Sequence, residues 1–346
     1  MKKIVFIAPK FPLGGAEKQL KYWIKEAKIL GFYTIVISTD AQSERIEFAD
    51  EQYTLNSPIV LPNLSKGKKL YYRCMSYLKI YKHFKKMDYH YCVFFNQLYL
   101  PLALKLNNLI FSVRELEKKY YKGFRKQLQH RCSIVTTNNI AAMIAGEQAG
   151  IKTKLIFNSI ENKNFNDVEI NNNKKILIVS NISRHKNIQP IINVVKNLES
   201  QGYTLKIAGE IIDKEYYNEL SSIIGSSRNI EFLGFVGNEQ LELLYKEASI
   251  FIHNSKKEGT ANSIIDAIKY GKMIFVSDIP ENMIMIDYLE DFVIYNERDL
   301  ENKLKKLEKL NSSERQGLIE KLVFLQRKVE LNYDGSSLKR FMKEIL

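Results

Sequence analysis

The sequence predicts an α/β protein of two domains, each a mainly parallel sheet wrapped by helices. Three observations lead there. Short apolar runs alternate with longer helical patterns along the chain, the rhythm of βα units feeding a parallel sheet. The 346 residues, 45% hydrophobic and 26% charged, are ordinary for a globular protein and too many for one domain of common size. Residues 161–175 (ENKNFNDVEINNNKK), between two alternating blocks, lose apolar periodicity and are rich in Asn, as an interdomain connection would be.

In order, KKIVFIAP predicts the first strand, AEKQLKYWIKEAKIL a helix ended by Gly31, and YTIVIST the next strand. YCVFF, NLIFSV and SIVTT follow, and EQAGIKTKLIFNSI carries one more short strand. The second block opens with ILIVS, continues with IQPIINVVKNLESQG as helix, and repeats the rhythm through YTLKIAG, NIEFLGF, LELLYKEA, SIFIHN, SIIDAIKYG and MIFVSD. From about Asp299 the pattern is continuously helical and charged. The domains are therefore placed at 1–162 and 171–346, with the terminal helices finishing the second domain or packing back on the first.

Composition narrows the function classes. No stretch approaches the roughly 20 uninterrupted apolar residues of a spanning helix, and the opening MKKIVFIAPKF meets Pro9 too soon for a signal peptide. Cys74, Cys92 and Cys132 are widely spaced and lack a nearby histidine pair, so neither a disulfide framework nor a zinc site is suggested; the cytoplasm is the expected compartment. Net charge is +13, and it is unevenly spread. Residues 1–165 hold 27 Lys+Arg against 12 Asp+Glu, a balance of +15, and the rest 25 against 27, a balance of −2. Such a first half is expected to meet something anionic.

Three segments are candidates for chemistry. In LGGAEK, Gly14 and Gly15 fall between the first strand and its helix, at the carboxyl end where α/β sheets bind ligands, though a Gly-Gly turn also serves tight packing. In SNISRHKN, Arg184 and Lys186 follow the second domain's first strand; two cations suit a diphosphate, and a solvated loop has the same composition. The third is SIFIHNSKKEGTANSIIDAIKYGKMIFVSD: a strand, a polar loop, a short helix stopped by Gly271 and another strand. Asn262 is expected to cap that helix and leave the amides of Ser263 and Ile264 for a phosphate. Glu258 precedes it in the loop, and Asp266 lies four residues beyond Asn262 on the same face. An ordinary capped helix with solvated acids fits the same spacing.

EGTANSIID resembles the acidic motif of family 4 retaining glycosyltransferases, in which two acids are separated by seven residues. LKIAGE, NIEFLGFVGNEQLELLYKEASIFIHNS and VSDIPEN are similar to the rest of that family's second domain, and FNSIE, with Asn158, to the segment leaving its first. The resemblance is dense over about residues 176–282, clear over 1–40 and weak between. It implies the GT-B fold, two Rossmann-like domains facing across a cleft, with the helical C-terminal segment and an acceptor-binding first domain. It implies a nucleotide-sugar donor, UDP-linked by preference, a glycan or lipid-linked acceptor, and no cofactor or metal. Carried over, Glu258 lies against the donor sugar, Asp266 bonds the ribose, the amides near Asn262 and Ser263 meet the diphosphate, Lys186 is its cationic partner, and the Gly14–Gly15 loop lies beside the phosphates.

Three positions depart from the pattern. Asp266 stands where Glu is usual, Asn181 where an arginine is frequent, with Arg184 nearby as a substitute, and FSVRELEKKY places Arg114 where the family has a histidine. Arg114 is thus a candidate third catalytic residue, against the alternative of a surface ion pair with Glu115 or Glu117. In the implied mechanism the departing phosphate takes the acceptor's proton, so no carboxylate base is needed. An epimerase would show a further catalytic acid set, and a phosphorylase a cofactor lysine in a longer chain. A catalytically silent sugar-nucleotide-binding subunit stays open; a basic nucleic-acid-binding protein lacks any recognisable motif. Residues 66–86 hold eight Lys+Arg, no acid and five aromatics, which is expected to hold the protein peripherally on an anionic membrane face, or to form an amphipathic helix packed on the domain.

Overall fold

The computed structural model describes residues 1–8, 15–38, 46–54, 87–95, 107–114, 123–160, 165–171 and 173–346, with Met75, Leu78, Tyr81 and Lys82 besides. By its contacts the chain divides into two compact units, Met1–Ile160 with Tyr333–Leu346, and Glu161–Asn332.

The first unit is a seven-stranded sheet of β1 (Lys3–Ala8), β2 (Tyr33–Ser38), β3 (Glu51–Thr54), β4 (Tyr91–Phe95), β5 (Leu109–Val113), β6 (Ile134–Thr137) and β7 (Thr153–Leu155). Its order is β3-β2-β1-β4-β5-β6-β7, with every pairing parallel. Strands covered on both faces must be apolar throughout, which is why β1, β2 and β4 were readable as short unbroken runs. β3 was not expected. Its EQYT is half-exposed at the edge of the sheet, so no apolar run announces it. The helices among the described residues are α1 (Gly15–Ile29), α2 (Gly123–His130) and α3 (Ile140–Gln148). α1 packs Leu20, Trp23, Ile24 and Ala27 on the sheet and ends before Gly31, whose φ of +89° glycine adopts without strain.

The second unit is a six-stranded sheet of β8 (Lys175–Val179), β9 (Thr204–Ala208), β10 (Ile230–Gly234), β11 (Ile250–His253), β12 (Met273–Ser277) and β13 (Val293–Ile294). The order β10-β9-β8-β11-β12-β13 is again all parallel. Its helices are α4 (Gln189–Asn197), α5 (Lys214–Ile224), α6 (Asn238–Glu247), α7 (Asn262–Lys269), α8 (Pro280–Met285), α9 (Glu297–Glu308) and α10 (Ser312–Tyr333). Gly209, at the end of β9, has φ +155°, and a Cβ there would sit 2.0 Å from the Ser180 carbonyl oxygen. The backbones leaving β8 and β9 can approach this closely only because that residue is glycine.

Residues 333–346, placed by the sequence with the second domain or back on the first, pack in the first unit. α11 (Ser336–Ile345) buries Leu338, Phe341, Met342 and Ile345 in the cluster that holds Trp23, whose ring lies 5.4 Å from that of Phe341. Each such side chain contributes roughly 1.5–3 kcal/mol on burial. The returning chain is pinned where the Ile160 N–H donates to the Tyr333 carbonyl at 3.1 Å. No described helix is long and apolar enough to cross a membrane.

Candidate active site

In the second sheet β8 and β11 are neighbours and parallel, so the loops leaving their carboxyl ends emerge side by side. The β8 loop closes into a 3-10 turn at Arg184–Lys186, ended by Asn187 in the left-handed region at φ 50°. The β11 loop, residues 254–261, leads into α7 and is held from two sides. Lys256 N–H donates to the His185 carbonyl at 2.8 Å and Asn254 Nδ2 to the Asn187 carbonyl at 3.1 Å, tying it to the 3-10 turn. Ser277 Oγ donates to the Ser255 carbonyl at 2.6 Å, tying it to the end of β12.

This bracing brings Glu258 and Lys186 together. The two form an ion pair at Glu258 Oε1 with side chains only 12% and 16% exposed. The same oxygen lies 2.9 Å from His253 Nε2, at the end of β11. Burial alone would push the Glu258 carboxyl up; the hydrogen bond and attraction of His253 and the charge of Lys186 outweigh it and hold the group well below the usual carboxylate range. A second acid, Glu281 in the first turn of α8, is buried and accepts a hydrogen bond from the Glu258 backbone N–H. Burial, with the Glu258 charge adding to it, pushes that carboxyl up. The two carboxyls of one loop environment are therefore displaced in opposite directions.

The start of α7 differs from expectation. Ala261, not Asn262, occupies the cap position and makes no side-chain cap bond; Asn262 is the first helical residue. The Ile264 N–H is spent on the Ala261 carbonyl at 3.0 Å, which removes one of the two amides expected to face a phosphate. Asp266 follows one turn later on a half-exposed face, near Tyr245 and Tyr270, whose phenols it helps push up after burial has done most of it. Those rings stack 5.1 Å apart, and Tyr245 Oη donates to the Ser263 carbonyl at 3.0 Å.

Arg184 is not brought into this cluster. Its guanidinium forks onto Glu219 of α5 at 2.8 and 2.5 Å, with Asp213 and Glu215 at 3.6 and 3.7 Å, and is half exposed. An arginine with three acids around it is already neutralised and is a poor substitute for a diphosphate cation at Asn181.

In the first unit Gly14, Glu115 and Glu117 lie outside the described residues, and Gly15 opens α1. Arg114, at the end of β5, is buried rather than on the surface. Its guanidinium lies 4.3 Å from the ring centroid of Phe95 and 5.3 Å from that of Trp23, and Nη1 donates to Asn158 Oδ1 at 2.9 Å. Asn138 Nδ2 donates to the same oxygen at 3.0 Å. Burial lowers Arg114 to about 9, and it stays protonated at neutral pH. Most of residues 66–86 lie outside the described residues.

Residues 159–321, the span holding Lys186, His253, Glu258, Asp266 and Glu281, match the family described as Glycosyl transferases group 1. Solved structures extend the likeness over both units. Sucrose-phosphate synthase from Thermosynechococcus elongatus superposes with TM-score 0.80 at 13% identity, covering 100% of this chain and 98% of that one. HepE from Anabaena, solved in complex with UDP-glucose, gives 0.74 at 17% identity, and WaaG, a glycosyltransferase involved in lipopolysaccharide biosynthesis, 0.74 at 15%; both cover 99% of each chain. The fold is thus that of GT-B glycosyltransferases, two parallel-sheet α/β domains with a helical C-terminal segment. An uncharacterized glycosyltransferase of Methanocaldococcus jannaschii is 31% identical over 107 residues, 31% of this chain and 27% of its own. A Klebsiella pneumoniae protein described as an uncharacterized 41.2 kDa protein in the cps region is 20% identical over 185 residues, 50% of each. These alignments span only about a quarter and a half of the curated relatives' lengths.

Within the matched span, the sequence singled out Glu258 and Lys186 but missed His253 and Glu281. The signal for His253 was a polar residue closing the otherwise apolar run SIFIHN; Glu281 sat in VSDIPEN with nothing local to mark it as buried. Among the described residues no group of three or more His, Cys, Asp or Glu side chains is set to hold a metal ion.

Proposed function

We propose that this protein is a glycosyltransferase that moves a sugar from a nucleotide-diphosphate donor to a glycan or lipid-linked acceptor with retention at the anomeric carbon. The observation that carries the reading is the buried Lys186–Glu258 pair beside the start of α7, inside the span that matches the group 1 family. Transfer builds positive charge on the anomeric carbon and negative charge on the departing diphosphate, so a catalyst must present fixed positive charge to the phosphate. Lys186 and the positive end of α7, through the Ser263 amide, supply it. Glu258 accepts hydrogen bonds from the donor sugar's hydroxyls, and Asp266, one turn into α7, those of the ribose. As the bond from the anomeric carbon to the phosphate oxygen breaks, the acceptor oxygen bonds that carbon on the same face and its proton passes to the departing phosphate. No step calls for a metal or cofactor.

A UDP-sugar is the favoured donor, supported by the UDP and UDP-glucose complexes of structural neighbours. Within the first unit, Arg114 supplies a cation for the acceptor. The +15 balance of residues 1–165 supports peripheral attachment to an anionic membrane face, where a lipid-linked acceptor is found. Sedimentation with anionic vesicles at low salt, lost at high salt, is the expected outcome there.

The test of the central reading is a thermal-shift panel of UDP-, GDP- and ADP-sugars followed by transfer of radiolabelled sugar, since a ligand bound only by the folded protein raises its melting temperature. One nucleotide class should stabilise the protein and support transfer. Stabilisation without transfer to any glycan or lipid-linked acceptor would leave a silent sugar-nucleotide-binding subunit, and no stabilisation would remove the reading.

A further inference from the structure

The donor-sugar contact assigned to Glu258 needs more than the carboxylate; it needs that carboxylate to present one oxygen in one direction. Glu258 sits in an eight-residue loop between β11 and α7, and a glutamate on a loop has three side-chain torsions to fix. Two donors converge on a single atom of it. His253 Nε2 lies 2.9 Å from Oε1, and Lys186 Nζ is bonded to the same Oε1. A carboxylate only accepts, so the imidazole nitrogen facing it carries the proton.

His253 is the better placed of the two to set the orientation. It closes β11, is 3% exposed, and its backbone is held in register with Val276 of β12, so its ring cannot follow a moving loop. Lys186 reaches in on a four-carbon stem from another loop and, with the phosphate role proposed for it, must also serve the ligand. The glutamate is thus gripped by one rigid donor from the sheet and one flexible donor from the opposite loop.

We propose that His253 is a positioning residue for sugar recognition: by occupying Oε1 from the end of β11 it turns Glu258 so that Oε2 is the oxygen offered to the donor sugar. This rests on the reading of Glu258 as the sugar contact. It makes the residue at the end of β11 a determinant of how tightly the sugar, as distinct from the nucleotide, is held.

The experiment compares the dissociation constants of UDP-glucose, UDP-N-acetylglucosamine and GDP-mannose with those of UDP and GDP by calorimetry. The ratio of nucleotide sugar to free nucleotide isolates the sugar's share, which a loss of general stability does not move selectively. His253→Leu and His253→Asn, neither able to place a donor at Oε1, should cut that ratio by about tenfold or more while UDP affinity stays within about twofold. His253→Gln, whose amide reaches the position of Nε2, should restore most of it. If Leu fails to fold, the contrast of Asn with Gln carries the same test. Equal ratios in Asn, Gln and wild-type protein overturn the proposal. Glu258→Gln separates it from the underlying reading. If Glu258→Gln keeps the wild-type ratio, or no nucleotide sugar binds more tightly than its free nucleotide, Glu258 is not the sugar contact and both fall. If Glu258→Gln loses the ratio while His253→Asn keeps it, only the positioning role falls.

Discussion

Arg184 and Lys186 stand two residues apart in one 3-10 turn, yet their side chains take different partners: Arg184 forks onto Glu219 of α5, and Lys186 pairs with Glu258 of the β11 loop. Adjacent cations that look equivalent in SNISRHKN are separated by the structure into a surface brace and a buried member of the site.

That separation sets the first prediction. Arg184→Ala removes an exposed pair, so it should change stability by less than about 1 kcal/mol and leave UDP affinity alone. Lys186→Ala leaves the carboxylate of Glu258 buried without its ammonium, a loss of about 3–5 kcal/mol in stability, and weakens nucleotide binding about ten- to a hundredfold. Denaturant titration and calorimetry of both variants check this. Equal effects would mean that the two cations do the same work.

Glu258 predicts a pH dependence. Its folded pKa lies below the ordinary 4.5, so the stabilisation is fully present above that value and is lost as pH falls through the folded pKa. Glu258→Gln should therefore be less stable than wild type near neutrality, and the gap should close on acidification below about 4.5. Glu281, pushed up in part by the Glu258 charge, is relieved of that part in Glu258→Gln, so its titration also enters the difference. Denaturant midpoints across the acid range decide it; a gap constant with pH would show that His253 and Lys186 do not hold the charge. In turnover the same variant should lose heavily with UDP affinity nearly intact, while Asp266→Ala should weaken UDP.

Arg114→Ala should cost about 2–4 kcal/mol in stability, because it empties a buried site against Phe95 and strips Asn158 of a donor. A surface arginine in an ion pair would have cost less than about 1 kcal/mol. Arg114→Lys keeps the charge but not the flat ring contact and should fall between. Thermal melts of the three proteins test this, and a melting temperature for the Ala variant equal to wild type would place the side chain at the surface.

Phe341→Ala in α11 should destabilise the first unit by roughly 3–5 kcal/mol through the cavity left beside Trp23. The tryptophan is the chain's only one, so its fluorescence reports on that cluster directly. A red-shifted emission and faster proteolysis within residues 1–160 are the expected readouts. Unchanged emission would mean that α11 does not cover it.

The strands most legible in the sequence, such as KIVFIA and MIFVS, are buried on both faces, because a parallel sheet between helices leaves no polar alternation to confuse with a loop. The missed strands, EQYT and the two residues Val293–Ile294, lie at sheet edges and are too short or too polar to register. At the site, Glu258 and Lys186 could be named, but their bond could not, since seventy-two residues separate them and only the β8–β11 pairing brings them together. Arg184 failed for the complementary reason: DKEYYNELSS looks like a solvated helix face, and nothing local says that three of its neighbouring acids gather on one arginine. His253 was hidden by its setting, a single polar residue at the end of an apolar run.

The return of residues 333–346 to the first unit reverses the order in which synthesis finishes the two halves. A ribosome releases residues 161–332 in one continuous piece, so the second sheet has all its strands in hand while the first still waits for Leu338, Phe341, Met342 and Ile345. During that interval the face of α1 around Trp23 is bare. A chain stalled or clipped before Tyr333 would keep a sound second unit attached to a sticky first one, and quality control in the cell would meet it as an aggregation hazard rather than as a weakened enzyme.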